Sequence, residues 1–284
     1  MQALACMYHH WKIFLFRLRF GSPETLMKRL SCILFLFASI FWTVNATGQE
    51  KSYTTANGHA HNDYLNPRPF YLAYESGFGS IEADIFNVGG KLLVAHTRDE
   101  IKQENTLTRL YIAPLLKELE DGNSYQVILL IDIKQDHRNC LRLLISELEP
   151  LQPYLAKPGE RQPVTVVISG ERPLPEEYKN YPDFIFFDSD LQQPHSAVEW
   201  QRVALVSLPF NKLSNWKGDR EPATDELLPV KSIIDSVHRA GKPIRFWAAP
   251  DNLLSWKWQK KLSADLIGTD RIRELGEFLK NESN

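Results

Sequence analysis

The chain reads as an α/β protein closed into a (β/α)8, or TIM, barrel, and three observations predict it. Short apolar segments of strand character alternate with amphipathic segments of helical period from residue 57 to residue 279. One of them, Tyr125 to Lys134, is apolar almost without interruption, as a strand is when helices cover both faces of a parallel sheet. Polar and charged residues gather at the C-terminal ends of the strand segments, the end at which such barrels place their sites. About eight strand segments, most of them followed by a helical one, suit a closed barrel better than an open doubly wound sheet.

The first residues are not barrel material. Met27-Lys-Arg is a short basic region, Ser31 to Trp42 is apolar, and Val44-Asn-Ala places small residues where signal peptidase cuts. Residues 1–46 are therefore expected to be an N-terminal extension and a secretory signal peptide starting at Met27. Residues 47–284 are expected to be a single barrel domain, exported to the periplasm or the extracellular space. The apolar run falls short of the about 20 residues that a membrane span needs, so no stable span is expected after cleavage. Lys12, Arg17, Arg19, Lys28 and Arg29 lie in the removed segment against Glu24 alone, so the remainder is more acidic than the whole chain's net charge of −2. An acidic body argues against nucleic acid as a partner. Of the three cysteines only Cys140 lies beyond residue 46, so no intrachain disulfide is expected there. Its helical surroundings predict a packed small side chain.

The barrel begins at Asn57-Gly-His-Ala-His-Asn-Asp-Tyr. His59 and His61 stand on alternate residues at a strand end and point the same way. Asn62 and Asp63 suit either orienting an imidazole or opening a turn. Asn66-Pro-Arg-Pro breaks the chain, Phe70 to Ser76 suits a short helix, and Gly77 is its C-cap. The strand that follows makes a βαβ unit, which implies parallel pairing. That strand is Ser80-Ile-Glu-Ala-Asp-Ile; Gly89-Gly90 turns the chain, and Lys91 to Ala95 returns to deliver His96. Glu82 and Asp84 share one strand face. They either face solvent or share a hard divalent cation through oxygen, and a histidine brought beside them can move protons.

The alternation continues with a helix from Leu107 to Glu120 and the strand Tyr125 to Lys134, which shows Asp132 and Lys134 on one face. A helix from Leu141 to Leu151 leads to a strand, Val164 to Ser169, that ends in Gly170-Glu171-Arg172-Pro173. Strands at Asp183 to Phe187 and Val203 to Ser207 follow, then a helix from Leu227 to Ala240 closed by Gly241. The last pairs are strand Pro243 to Ala248 with helix Leu253 to Leu262, and strand Asp265 to Gly268 with helix Arg271 to Leu279.

In a barrel these strand ends converge, which brings His59, His61, Glu82, Asp84, His96, Asp132, Lys134, Glu171, Arg172 and Asp251 to one mouth. Three carboxylates, with waters and a substrate oxygen, complete a calcium or magnesium shell. Two histidines on opposite sides of a phosphorus serve as base and acid. Arg172 either grips phosphate bidentately or pairs with Glu171. Trp247 either meets a cationic head group at the mouth or packs beneath the rim. His137, His195 and His238 sit on helical or loop segments without carboxylate company of the kind at the strand ends and are expected in surface or packed roles. Trp256 and Trp258, two apart on a helix, do not share a face, so one of them is expected to be partly exposed.

In these pieces the chain resembles the phospholipase-C-like phosphodiesterases, near the glycerophosphodiester phosphodiesterases and most of all a secreted branch with a His-Asn-Asp-Tyr motif. The pieces are Ala60-His-Asn-Asp-Tyr, Ser80-Ile-Glu-Ala-Asp, Leu93-Val-Ala-His, Ile131-Asp-Ile-Lys, Ser169-Gly-Glu-Arg-Pro, Arg245-Phe-Trp-Ala-Ala-Pro-Asp and Ile267-Gly-Thr-Asp, in order across Gly58 to Leu279. The resemblance implies hydrolysis of a small-molecule or lipid-derived phosphodiester. It implies one divalent cation, Mg2+ or Ca2+, held by Glu82, Asp84 and Asp132, and it makes His96 the second catalytic histidine. The first is His61 if Ala-His-Asn is set against the family's Ala-His-Arg. It is His59 if Gly-His-x-x-Asn is set against the sphingomyelinase-D-like branch. Lys134, Arg172 and Trp247 are the expected substrate contacts. The family's His-Arg-Gly is His61-Asn62-Asp63 here, so the phosphate-binding arginine beside the histidine is missing and Lys134 or Arg68 is left to supply its charge. The Glu-Asn-Thr expected before the metal pair is missing too; Glu104-Asn105-Thr106 comes after His96. These departures keep a second class open: a barrel that binds a phosphorylated or sugar-like ligand without turnover.

Overall fold

Eight parallel strands curl round a common axis in the computed structural model, which describes residues 52–281. The expected signal peptide over residues 1–46 lies outside the described residues. The strands are β1 (Gly58–Ala60), β2 (Ser80–Val88), β3 (Lys91–Val94), β4 (Val127–Ile133), β5 (Val164–Gly170), β6 (Ile185–Ser189), β7 (Val203–Pro209), β8 (Ile244–Trp247) and β9 (Ile267–Thr269). All but β3 form the barrel, in the order β8-β7-β6-β5-β4-β2-β1-β9. A bridge between Arg245 and Leu266 nearly closes the ring. β3 turns back antiparallel on β2 through Gly89 and Gly90, whose φ of 58° and 82° are open to glycine.

The helices are α1 (Tyr71–Glu75), α2 (Ala113–Glu120), α3 (His137–Glu147), α4 (Ala197–Gln201), α5 (Leu228–Arg239), α6 (Leu253–Leu262) and α7 (Ile272–Asn281). Most match the sequence expectation within a few residues, and three differ for visible reasons. Before α2 the segment Thr108–Ile112 is a π-helical turn. Pro114 has no N–H for the Leu110 carbonyl, and the Ala113 N–H reaches back to Thr108 instead. α3 starts four residues earlier than expected because the Asp136 side chain accepts from the Asn139 N–H and caps it. α4, five residues long, is too short to show a period. Among the described residues no helix is long and apolar enough to cross a membrane. Cys140 is buried on α3, and Trp256 is buried while Trp258 is half-buried, as the sequence predicts.

The feature that positions the site is the inward face of the barrel. Its lower part is apolar, with Leu130, Leu205 and Leu266 packed together and Val167 against Phe186. One step of alternation further along the same strands the residues are Asp132, Ser207, Ser169 and Asp188. Backbone in the sparsely populated left-handed region follows the same ends: Asn62 after β1, Asp136 after β4, Leu191 after β6 and Ala248 after β8. Strain of this kind collects at functional sites.

Candidate active site

Parallel pairing sets Asp84 of β2 directly opposite Asp132 of β4, and Glu82 lies two residues back on the same face. One carboxylate oxygen from each of the three falls within 4.8 Å of the other two. Glu82 and Asp84 are buried, so they do not line a solvated strand face. Lys134 places Nζ 2.7 Å from Asp84 Oδ2 and 3.3 Å from Asp132 Oδ2. The Tyr64 hydroxyl donates to Asp84 Oδ2 at 2.7 Å. Asp84 Oδ1 is buried and has no hydrogen-bond partner among the described residues. Leaving such an oxygen unpaired is costly, and an all-oxygen set of three carboxylates is what a hard divalent cation takes. The donor set therefore fits Mg2+ or Ca2+.

The three carboxyls are driven apart electrostatically. Burial and the charge of Glu82 raise Asp84 above its usual range, against the pull of Lys134. Burial pushes Asp132 up to about 6, again against Lys134. Burial acts on Glu82 in the same sense, yet the Arg245 charge holds it well below the usual carboxylate range.

The two candidate first histidines part company. His59 is fully buried: Nδ1 lies 2.8 Å from Ser80 Oγ, and Nε2 lies 2.9 Å from Glu82 Oε2 and 2.7 Å from Arg245 Nη1. Burial and the Arg245 charge lower its pKa to about 4, so it is neutral. With the proton assigned to Nδ1, Ser80 accepts it and Nε2 accepts from Arg245. His61 is partly exposed and lines the cleft. Its Nδ1 lies 2.7 Å from Asp270 Oδ1, and its Nε2 is 3.9 Å from Glu82 Oε1. Burial works against its cation, but the Asp270 hydrogen bond and the charges of Glu82 and Asp270 prevail and raise its pKa. Asn62 helps to hold Asp270, its Nδ2 donating to Asp270 Oδ1 at 3.3 Å. Asp63 turns away and accepts from the Phe70 N–H and the Tyr111 hydroxyl, fixing the loop. His96 arrives on the hairpin with Nδ1 3.1 Å from Asp84 Oδ2.

A cleft of about 410 Å³ is lined by His61, Glu82, His96 and Asp132, with Lys134, Arg172, Arg245 and Trp247 among its other walls. A side chamber of about 180 Å³ opens past His61 and Trp247 toward Thr269 and Asp270. Trp247 is 46% exposed here, which replaces packing beneath the rim with a place at the mouth. Arg172 pairs with Asp190 at 3.1 Å and lies 3.5 Å from Asp188, not with Glu171. Glu171 accepts from His137 instead, and Asp265 pairs with His238 at 2.8 Å, so both histidines have carboxylate partners that the sequence hides. Asp251 lines the side chamber and accepts from the Asp270 N–H. Arg68 pairs with Glu75 at 2.6 Å on the surface and brings no charge to the cleft. Sequence reasoning assigned no role to Arg245 or Asp270. The signal each carried was its place in a matched piece, Arg245-Phe-Trp-Ala-Ala-Pro-Asp and Ile267-Gly-Thr-Asp.

Gly170 shows how tightly the carboxylates are held. Its φ is +68°, and a Cβ there would stand 2.1 Å from Asp132 Oδ1 and 2.5 Å from the Ile133 carbonyl. Gly170→Ala is expected to lower stability by about 1–3 kcal/mol through the left-handed backbone and the clash. It should also push Asp132 out of line, so calorimetric titration with Mg2+ or Ca2+ should show weakened binding. Unchanged affinity would mean that Asp132 needs no such placement.

Residues 49–127 match the AIM6-like phosphodiesterase domain. The chain is 27% identical over 267 residues to altered inheritance of mitochondria protein 6 of Eremothecium gossypii, covering 78% of this chain and 68% of that one. It is 28% identical over 227 residues to the Arthroderma benhamiae homolog of that protein, covering 68% and 72%. Among solved structures it is similar to a glycerophosphodiester phosphodiesterase from Parabacteroides distasonis, with a TM-score of 0.54 at 13% identity, over 84% of this chain and 100% of that one. That last likeness is one of fold.

Proposed function

We propose that this chain, a barrel of the phospholipase-C-like phosphodiesterase superfamily, is an exported, metal-dependent phosphoric diester hydrolase. One observation carries the reading: three clustered carboxylates, two of them lining a cleft together with the imidazoles of His61 and His96, stand within 4.8 Å of one another. The substrate class is a glycerophosphodiester or a phospholipid-like diester.

Glu82, Asp84 and Asp132 would hold one Mg2+ or Ca2+, which when bound polarises a phosphoryl oxygen. The chain's own groups move the protons. Asp270 takes the Nδ1–H of His61 and leaves Nε2 toward the cleft, and the raised pKa keeps the proton on the ring. His61 is then the acid that protonates the departing alcohol oxygen as its bond to phosphorus breaks. His96 turns Nδ1 to Asp84, so its Nε2 is the base that takes the proton of the attacking oxygen. That oxygen belongs to water or to a neighbouring hydroxyl of the substrate, which would give a cyclic phosphate first.

Phosphorus NMR of a panel of glycerophosphodiesters and lysolipids tests the reading. The expected result is a phosphomonoester or cyclic phosphate from at least one of them. No turnover across the panel, with ligand binding intact in His96→Ala, would favour the barrel that only binds. Export has its own check: mass spectrometry of the secreted protein should find an N-terminus near Thr47, and a cytosolic protein starting at Met1 or Met27 would contradict it.

A further inference from the structure

Arg245 is the cleft cation to which the mechanism above gives no task. Its side chain is 5% exposed. Nε donates to Ser207 Oγ at 2.9 Å, and Nη1 donates to His59 Nε2 at 2.7 Å and to Glu82 Oε2 at 3.1 Å. These three contacts fix the guanidinium plane. The second amine, Nη2, makes no hydrogen bond among the described residues and is not sealed from solvent. Arg245 lines both the central cleft and the side chamber, in company with His61 and Trp247. The other cations of the cleft are spoken for: Lys134 lies between Asp84 and Asp132, and Arg172 lies between Asp188 and Asp190.

A planar guanidinium held rigid on one edge, with a free amine on the other, is suited to a phosphoryl oxygen. We propose that Arg245 anchors the substrate phosphate, with Nη2 donating to a non-bridging oxygen beside His61. The role of His59 follows. Its Nε2, 2.7 Å from Nη1, aims the guanidinium.

This rests on the phosphodiesterase reading, and a binding measurement separates the two. Inorganic phosphate is titrated calorimetrically into wild type, Arg245→Gln and Arg245→Lys with Mg2+ present, and Mg2+ is titrated into each without phosphate. Arg245→Gln is expected to bind phosphate about tenfold to a hundredfold more weakly, as loss of a charged hydrogen bond dictates. KM for the diester should rise in step. Mg2+ affinity should hold or increase, because Glu82 loses a competing cation. Arg245→Lys should fall between the two. Full phosphate affinity in Arg245→Gln with weakened Mg2+ binding would make Arg245 a positioning residue for Glu82 and overturn the anchor. If Arg245→Gln does not fold, Ser207→Ala loosens the same guanidinium and should weaken phosphate several-fold; no change overturns the anchor again. Arg245-dependent phosphate binding without turnover keeps the anchor and removes the enzyme. Turnover with unchanged phosphate affinity does the reverse.

Discussion

Asp132→Asn is expected to abolish the metal-dependent rise in melting temperature and to leave the metal-free protein at least as stable as wild type. The substitution keeps the shape and removes one of three clustered negative charges. Without a cation those charges repel, and Lys134 alone compensates Asp84 and Asp132. Loss of a direct ligand should weaken metal binding beyond the about 10- to 100-fold that loss of a supporting hydrogen bond costs. The pH dependence carries the same signature. Asp132 has a folded pKa of about 6 against 3.8 for the free side chain, and Asp84 is shifted in the same direction. A raised value means that their contribution to stability is full below the unfolded pKa and is lost as pH rises through the folded one. Glu82, shifted down, acts in the opposite sense and at lower pH. Metal-free wild type should therefore lose stability between about pH 4 and pH 6 from Asp132, with Asp84 acting in the same sense, and Asp132→Asn should lose less. Equal metal-induced shifts in both proteins would remove Asp132 from the ligand set.

His61→Ala should lower kcat by about 10²- to 10⁴-fold, the usual worth of a positioned proton donor. Asp270→Asn is the more telling variant, since it spares the ring and removes the charge that raises it. Burial alone lowers the His61 pKa; Asp270 and Glu82 reverse that. If the protonated ring is the acid, activity falls as pH rises through its folded pKa. Asp270→Asn then moves that alkaline limb to lower pH. A limb that stays in place would assign the acid to another group.

Much of this was legible in the chain. Alternation along Ser80-Ile-Glu-Ala-Asp set Glu82 and Asp84 on one face, and the position of Asp132 at the end of an apolar strand brought it beside them. What local pattern does not carry is the closure of the barrel. β1 pairs with β9, so His59 lies opposite Gly268 and His61 meets Asp270 from the far end of the chain. Arg245 looks like an ordinary residue of a short apolar strand until β8 comes round to face Glu82. The choice between His59 and His61 was open for the same reason, because two histidines on one strand face differ only in depth within the barrel. The Glu171 pairing offered for Arg172 fails because its partners, Asp188 and Asp190, lie at the end of the next strand and not in its own loop.

A cleft that hydrolyses phosphodiesters with a cation bound by Glu82, Asp84 and Asp132 must turn over substrate only when that cation is present. The direct test is turnover of a chromogenic phosphodiester by the purified protein, first in excess chelator and then with Mg2+ or Ca2+ added back. The expected result is negligible turnover in chelator, restored by one or both cations in wild type and not in Asp132→Asn. Full turnover in excess chelator would contradict it.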